Sequence, residues 1–224
     1  MIIKGLYRKP LEALVLFFIL FFPRNTASFS YFSYVEEISA SIFWRIPALI
    51  LILLLAEKKP CINPKKIFMV LAAALPALIA TGYLAALAAA KTGFSQSVKI
   101  PQPAGLPGWI GAILLSLSTG ALEEAYFRLY LPERILELFP DHNAESGILK
   151  KEGQTRVSRS VAAAFVISGL LFALCHAYEG LWGAVNALLA SLVLSLAYIK
   201  SSSFFGIALA HGLYNVFVFF TVTL

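Results

Sequence analysis

An all-α, polytopic transmembrane bundle of about seven spans, with its N-terminus cytoplasmic, is the fold class this sequence predicts, and three observations predict it. Of 224 residues, 59% are apolar and only 13% charged, with a mean hydropathy of +0.81, outside the usual composition of a soluble domain. Apolar runs near the ~20 residues that cross a bilayer recur along the chain. They are continuous, whereas a transmembrane barrel would show short alternating segments.

The expected spans are 6–22, 38–56, 67–90, 108–130, 160–179, 181–199 and 203–222. In the first, "LEALVLFFILFF" lies between a basic flank (Lys4, Arg8, Lys9) and a small-residue "TAS", which resembles a signal peptide. Pro23 and Arg24 separate that core from "TAS", and the remaining chain is also membrane-like, so a retained anchor is expected. Spans two and three are joined through Lys58, Lys59, Lys65 and Lys66. Between the fourth and fifth lies the longest polar stretch, residues 131–159, expected in the cytoplasm. It opens with "LPERILELF", which reads as a short interfacial helix, and continues with the Gly, Asn and charge content of a mobile loop. No internal repeat is visible, so residues 1–224 read as a single integral-membrane domain.

Basic residues give the orientation. With the N-terminus inside, the inner segments hold Lys4, Arg8, Lys9, the four lysines from Lys58 to Lys66, the cluster from Arg134 to Arg159, and Lys200. The outer segments hold only Arg24, Lys91 and Lys99, a strong positive-inside bias. The same placement explains the net charge of +6. It shows no basic stripe with interleaved aromatics, so nucleic acid is not an expected partner. Cys61 and Cys175 lie far apart without CxxC spacing and form neither a disulfide framework nor a zinc signature.

Charges inside the spans ask for a reason. "GALEEAYFRLYL" (120–131) places Glu123, Glu124 and Arg128 in an apolar segment, where each costs roughly 2.5–3.5 kcal/mol at the bilayer centre. Residues four apart share a helix face, so Glu124 is expected to pair with Arg128. Glu123 lies on another face, with Gly120 and Phe127, and is left for something else. The alternative is that both acids only hold helices together. Further along, "LFALCHAYEG" carries His176 one turn after Phe172, and "ALAHGLYNVF" carries His211 and Asn215 one turn apart. A lone intramembrane histidine often just hydrogen-bonds between helices, but a His–Asn pair aims two donors at one point. Arg45, before Pro47, is expected to snorkel to the outer interface or to bind Glu36 or Glu37. Asn186 and Glu179 are lesser candidates, and His142 receives no role.

Taken together, Glu123, His176, His211 and Asn215 are the parts of a hydrolase. A glutamate and a histidine can hold and deprotonate a water. A second histidine and an asparagine can donate to the oxygen that becomes negative when a peptide carbonyl is attacked. Two histidines and a glutamate are also a zinc-ligand set, which stays open as an alternative; the expectation is no metal and no cofactor. No GxSG serine site and no HExxH zinc site is present.

These residues carry a resemblance. "EEAYFR" fits EExxxR, "FALCH" fits FxxxH and "HGLYN" fits HxxxN, in that order, on three apolar spans within residues 105–220. The chain resembles the CPBP (or Abi) family of intramembrane glutamic endopeptidases, which includes type II CAAX prenyl proteases and bacteriocin-processing or immunity proteins. The resemblance implies that Glu123 and His176 activate water, that His211 and Asn215 form the oxyanion hole, and that Glu124, Arg128 and Phe172 support the site. Leu129 stands where the family often has Gly, and the loop before the FxxxH span is long. Both departures bear on substrate type.

The expected function is cleavage of a membrane-associated protein or peptide within the cell membrane, with the lipid bilayer as surroundings. A non-catalytic immunity or maturation partner is the alternative, and a proton-coupled transporter is disfavoured by the lack of repeats. At ~1.5 Å per residue, Glu123 falls near the cytoplasmic third and His176 near the outer end of its span. The two meet only if the fourth span continues past Tyr130 or the fifth begins later. The topology itself is testable: a C-terminal alkaline phosphatase fusion should be active and a C-terminal fluorescent protein that matures only in the cytoplasm should be dark. The opposite pattern would refute seven spans with the N-terminus inside.

Overall fold

Each expected span coincides with a helix. The computed structural model describes residues 8–21, 34–93, 103, 105–139, 148–151 and 154–221. In chain order the helices are α1 (Arg8–Phe21), α2 (Tyr34–Leu55), α3 (Pro64–Thr92) and α4 (Gly105–Glu124). A π-helical turn (Ala125–Tyr130) carries α4 without a break into α5 (Leu131–Leu136). After a small antiparallel hairpin of β1 (Ile148–Lys151) and β2 (Gln154–Val157) come α6 (Arg159–Cys175), α7 (Leu181–Ser201) and α8 (Phe204–Thr221). "TAS" and His142 lie outside the described residues, as do the side chains of Glu36 and Glu37.

Four helical segments are long and apolar enough to cross a bilayer: α3, the rod from α4 to α5, α7 and α8. Ile42–Leu55 of α2 and Arg159–Cys175 of α6 are shorter apolar pieces. The 14 residues of α1 rise only ~21 Å against ~30 Å of hydrocarbon. Large apolar side chains, among them Phe43, Leu54, Phe68 and Leu106, stand on the outside. In water they would form a sticky patch; in a bilayer they are the solvated surface. The chain is an integral membrane protein.

Local signals set the helix ends. Asn63 caps α3, its Oδ1 accepting from the Lys66 N–H at 3.0 Å, with Pro64 in the first turn. Ser158 caps α6 through the Val161 N–H at 3.2 Å. Between α7 and α8 the chain reverses over Ser202 and Ser203, with Ser202 left-handed at φ 52°.

Two boundaries differ from the sequence expectation. The fourth helix does not stop at Tyr130. Residues 131–136, expected as a separate interfacial helix, continue it, with Leu131, Pro132, Arg134 and Ile135 buried. The charges that make this segment look interfacial are compensated inside the fold. Arg134 pairs with Glu57 at 3.0 Å and with Glu137, and donates to the Leu55 carbonyl at 2.9 Å. The Glu133 carboxylate accepts from the backbone N–H groups of Glu57 and Lys58 at 2.8 and 3.1 Å. Burial acts to raise the Glu57 carboxyl, but the hydrogen bonds and charges of Arg134 and Lys9 outweigh it and hold that group below its ordinary range. The helix of the fifth expected span, α6, ends earlier than expected, at Cys175, and His176 follows as its cap before a 3-10 turn over Ala177–Glu179.

Around the α4–α5 rod, α2 packs on one side and α8 on another, while α3 packs against α7 and α8. The first helix docks on the π turn. Tyr126 donates to the Ala13 carbonyl at 2.6 Å, and Tyr130 to the Glu12 carboxylate at 2.8 Å. Ser168 of α6 donates to the Phe127 carbonyl at 2.6 Å. The contact between α4 and α8 is made of backbone. A Cβ added at Gly120 would lie 2.7 Å from the Gly212 nitrogen, and one at Gly212 would lie 2.9 Å from the Leu117 Cα. The space beside Gly120 is therefore filled by the backbone of α8. Gly120→Val should force the two helices apart and cost about 1–3 kcal/mol, read as a lower melting temperature in detergent. An unchanged melting temperature would contradict this packing.

Candidate active site

At the end of α4, Glu124 has no exposed surface, and neither does Arg128 one turn later; Arg128 Nε lies 3.2 Å from Glu124 Oε2. The other Glu124 oxygen, Oε1, lies 2.8 Å from His211 Nδ1. Glu124 is thus shared between its own helix and α8. The expected pair with Arg128 is present, and the bond to His211 is one that helical spacing does not reveal. The Arg128 guanidinium lies 4.9 Å above the Phe172 ring, an arrangement that offsets part of its desolvation. None of its three nitrogens has a partner in hydrogen-bond geometry, so the contact with Glu124 is one of charge alone.

Glu123 is placed differently. Its side chain is 14% exposed, and Oε2 lies 3.5 Å from His211 Nε2. That distance lets the two groups attract but is outside hydrogen-bond geometry, and Oε2 is buried without a hydrogen-bond partner. One imidazole therefore faces both acids, through a different nitrogen for each.

Phe172 is the hub between the two histidines. Its ring centroid is 4.5 Å from that of His176, 5.8 Å from His211 and 5.2 Å from Phe127. His176 is held at 2.8 Å between Nδ1 and its own Phe172 carbonyl, and its other face looks toward Tyr178 at 6.3 Å. The charge of Glu123 reaches Cys175 and Tyr178, the near neighbours of His176 in sequence. No hydrogen bond joins Glu123 to His176 among the described residues. Asn215, one turn past His211, is half-buried and has no hydrogen-bond partner among them either.

Glu123, Glu124, Arg128, Phe172, His176 and His211 are thus gathered around one ring and one imidazole. Asn186 lies apart, donating to the Tyr214 hydroxyl at 3.0 Å between α7 and α8. Glu179 is half-buried in the 3-10 turn after α6. Among the described residues, no three His, Cys, Asp or Glu side chains converge as a metal site. Arg45 is half-buried on α2 with its guanidinium 4.9 Å from the Trp44 ring, and the side chains of Glu36 and Glu37, its expected partners, lie outside the described residues.

A family model described as type II CAAX prenyl endopeptidase Rce1-like matches residues 105–217, from the start of α4 nearly to the end of α8. The chain belongs to that family. No curated protein and no solved structure matches it. Membership makes this Rce1-like chain a membrane-embedded protease of the CAAX type, acting on a membrane-associated protein in a lipid bilayer. The matched residues include all three motifs and leave out α1, α2 and α3.

The two adjacent glutamates differ in how much of the fold hangs on them. Glu124→Gln leaves Arg128 without its counter-charge and turns the charged acceptor of His211 into a neutral amide, a loss of order 3–5 kcal/mol for a broken buried pair. It should appear first as poor accumulation and a lower melting temperature. Glu124→Gln combined with Arg128→Met should recover part of that stability. Glu123→Gln should accumulate and melt like the parent; the reverse ranking of the two single variants would swap the roles.

Proposed function

We propose that this Rce1-like protein is a glutamic-type endopeptidase of the cell membrane, hydrolysing a peptide bond in a membrane-associated protein or peptide with water activated by Glu123 and His176. The observation that carries the reading is the contrast between the acids. Glu124 has no exposed surface, with Oε1 hydrogen-bonded to His211 and Oε2 held only by the charge of Arg128, whereas Glu123 faces the His211 imidazole at 3.5 Å with no hydrogen bond and keeps 14% of its side chain exposed.

In the proposed reaction Glu123 takes a proton from a water that His176 helps to hold. The water oxygen attacks the scissile carbonyl carbon, and the carbonyl oxygen becomes negative. His211 and Asn215 donate to that oxygen. As the C–N bond breaks, the proton on Glu123 passes to the leaving nitrogen. An ionised Glu124 has no proton to give, so His211 Nδ1 is the donor in their bond. Nε2 is then the nitrogen facing the reacting groups, and in the imidazolium form it carries the N–H that meets the oxyanion. The family name points to the C-terminal tail of a prenylated protein as the substrate class.

Purified protein in lipid nanodiscs, supplied with a farnesylated CAAX-type peptide, tests the reading. Glu123→Gln should be folded and inactive, while His211→Ala and Asn215→Ala should each lower turnover by roughly 10²–10³-fold with binding nearly intact. Cleavage by Glu123→Gln at the parent rate would refute the role of that acid. Losses in binding alone would favour the non-catalytic partner instead.

A further inference from the structure

Arg45 is a cation that the reaction above does not use. It lies on the stripe of α2 that continues through Ala48 and Ile52, both buried, so the spacing i, i+3, i+7 turns it toward the bundle rather than toward lipid. Its guanidinium sits 4.9 Å above the Trp44 ring. Nη1 is buried and has no hydrogen-bond partner among the described residues.

Its depth follows from the clamp at the far end of the helix. The Leu55 carbonyl accepts from Arg134 at 2.9 Å, and α2 and the α4–α5 rod approach that point running in the same direction. Ten residues back along α2, ~15 Å away, stands Arg45; eleven residues back along the rod, ~16 Å away, stands Glu123. Both side chains lean toward their helix N-termini, hence the same way. Arg45 and Glu123 therefore stand level on neighbouring helices, consistent with the charge of Glu123 acting on Arg45.

Glu124 lies 3.2 Å from Arg128, and Glu123 lies 3.5 Å from the His211 imidazole. Among the described residues no carboxylate stands within ion-pair distance of the Arg45 guanidinium, whose Nη1 is buried without a hydrogen-bond partner. A planar guanidinium held on an aromatic face matches a carboxylate, which it can bind through two parallel N–H bonds.

We propose that Arg45 anchors a carboxylate of the substrate beside the scissile bond and so selects which peptides are cut. This rests on Glu123 being the reacting acid. The carboxylate is either the free C-terminus of a short released tail or an acidic side chain next to the cut, and the two sources are separable.

Full-length protein in nanodiscs is given internally quenched farnesylated CAAX-type peptides in two pairs. One pair ends in a free acid or an amide; the other carries Asp or Asn beside the cut. The parent enzyme should show a KM about 30-fold lower or better for the charged member of one pair, and that pair identifies the source. Arg45→Gln should erase the difference with kcat little changed, and Arg45→Lys should keep part of it. A parent enzyme that treats both pairs alike overturns the proposal. So does an Arg45→Gln that slows all four peptides equally, which would make Arg45 a counter-ion of Glu123. If Arg45→Gln fails to accumulate, binding of the four peptides to Glu123→Gln decides: charge-dependent binding supports the anchor, and equal binding or none overturns it. Charge-dependent binding to Glu123→Gln without any cleavage by the parent counts against the protease reading and not against Arg45.

Discussion

Arg128 has no exposed surface, and burying a guanidinium in a lipid-embedded fold is costly unless protein groups compensate its charge. Three helices answer that demand. Glu124 of α4 supplies the opposite charge, Phe172 of α6 supplies a ring face, and His211 of α8 takes the second oxygen of Glu124. Meeting the cost of one cation thereby fixes α4, α6 and α8 against each other. The glycine contact is a condition for it. Only where Gly120 and Gly212 bring two backbones together does α8 come close enough to put an imidazole on Glu124.

That arrangement gives adjacent residues of the same type different tasks. Neighbours on a helix point about 100° apart, so Glu124 faces inward to Arg128 while Glu123 stays at the margin, 0% against 14% exposed. The π-helical turn begins at the next residue, and all six of its side chains are buried. Wide turns of this kind occur often at functional sites. Here its aromatic residues receive α1, through Tyr126 and Tyr130, and its Phe127 carbonyl receives Ser168 of α6. The segment that carries the acids is thus held from two sides beyond its own helix.

What was legible in the sequence was whatever depends on spacing within one helix. The pairing of Glu124 with Arg128 is a matter of four residues, and the spans follow from apolar run length. What was not legible depends on contacts between helices. The bond between Glu124 and His211 joins residues 87 positions apart, and no periodicity predicts it. Glu133 and Arg134 read as an interface because their partners, the Leu55 carbonyl, Glu57 and two backbone N–H groups, belong to the end of α2 and the residues just after it.

The separation that counting imposes on Glu123 and His176 has a geometric answer. The Ser168–Phe127 bond sets the level of α6 against the rod. From it, His176 is eight residues onward, ~12 Å, and Glu123 four residues back, ~6 Å. About 6 Å of axial offset remains between their backbones. The helices run in opposite directions, and each Cα–Cβ bond tilts toward its own N-terminus. Glu123 therefore leans toward the level of His176, and His176 leans back over Phe172, where its ring is found at 4.5 Å. Placing His176 at the cap just past the end of α6, rather than inside a longer span, leaves its ring free to make that turn. The lean of the two side chains narrows that axial offset, a direction that residue counting along the axis leaves out.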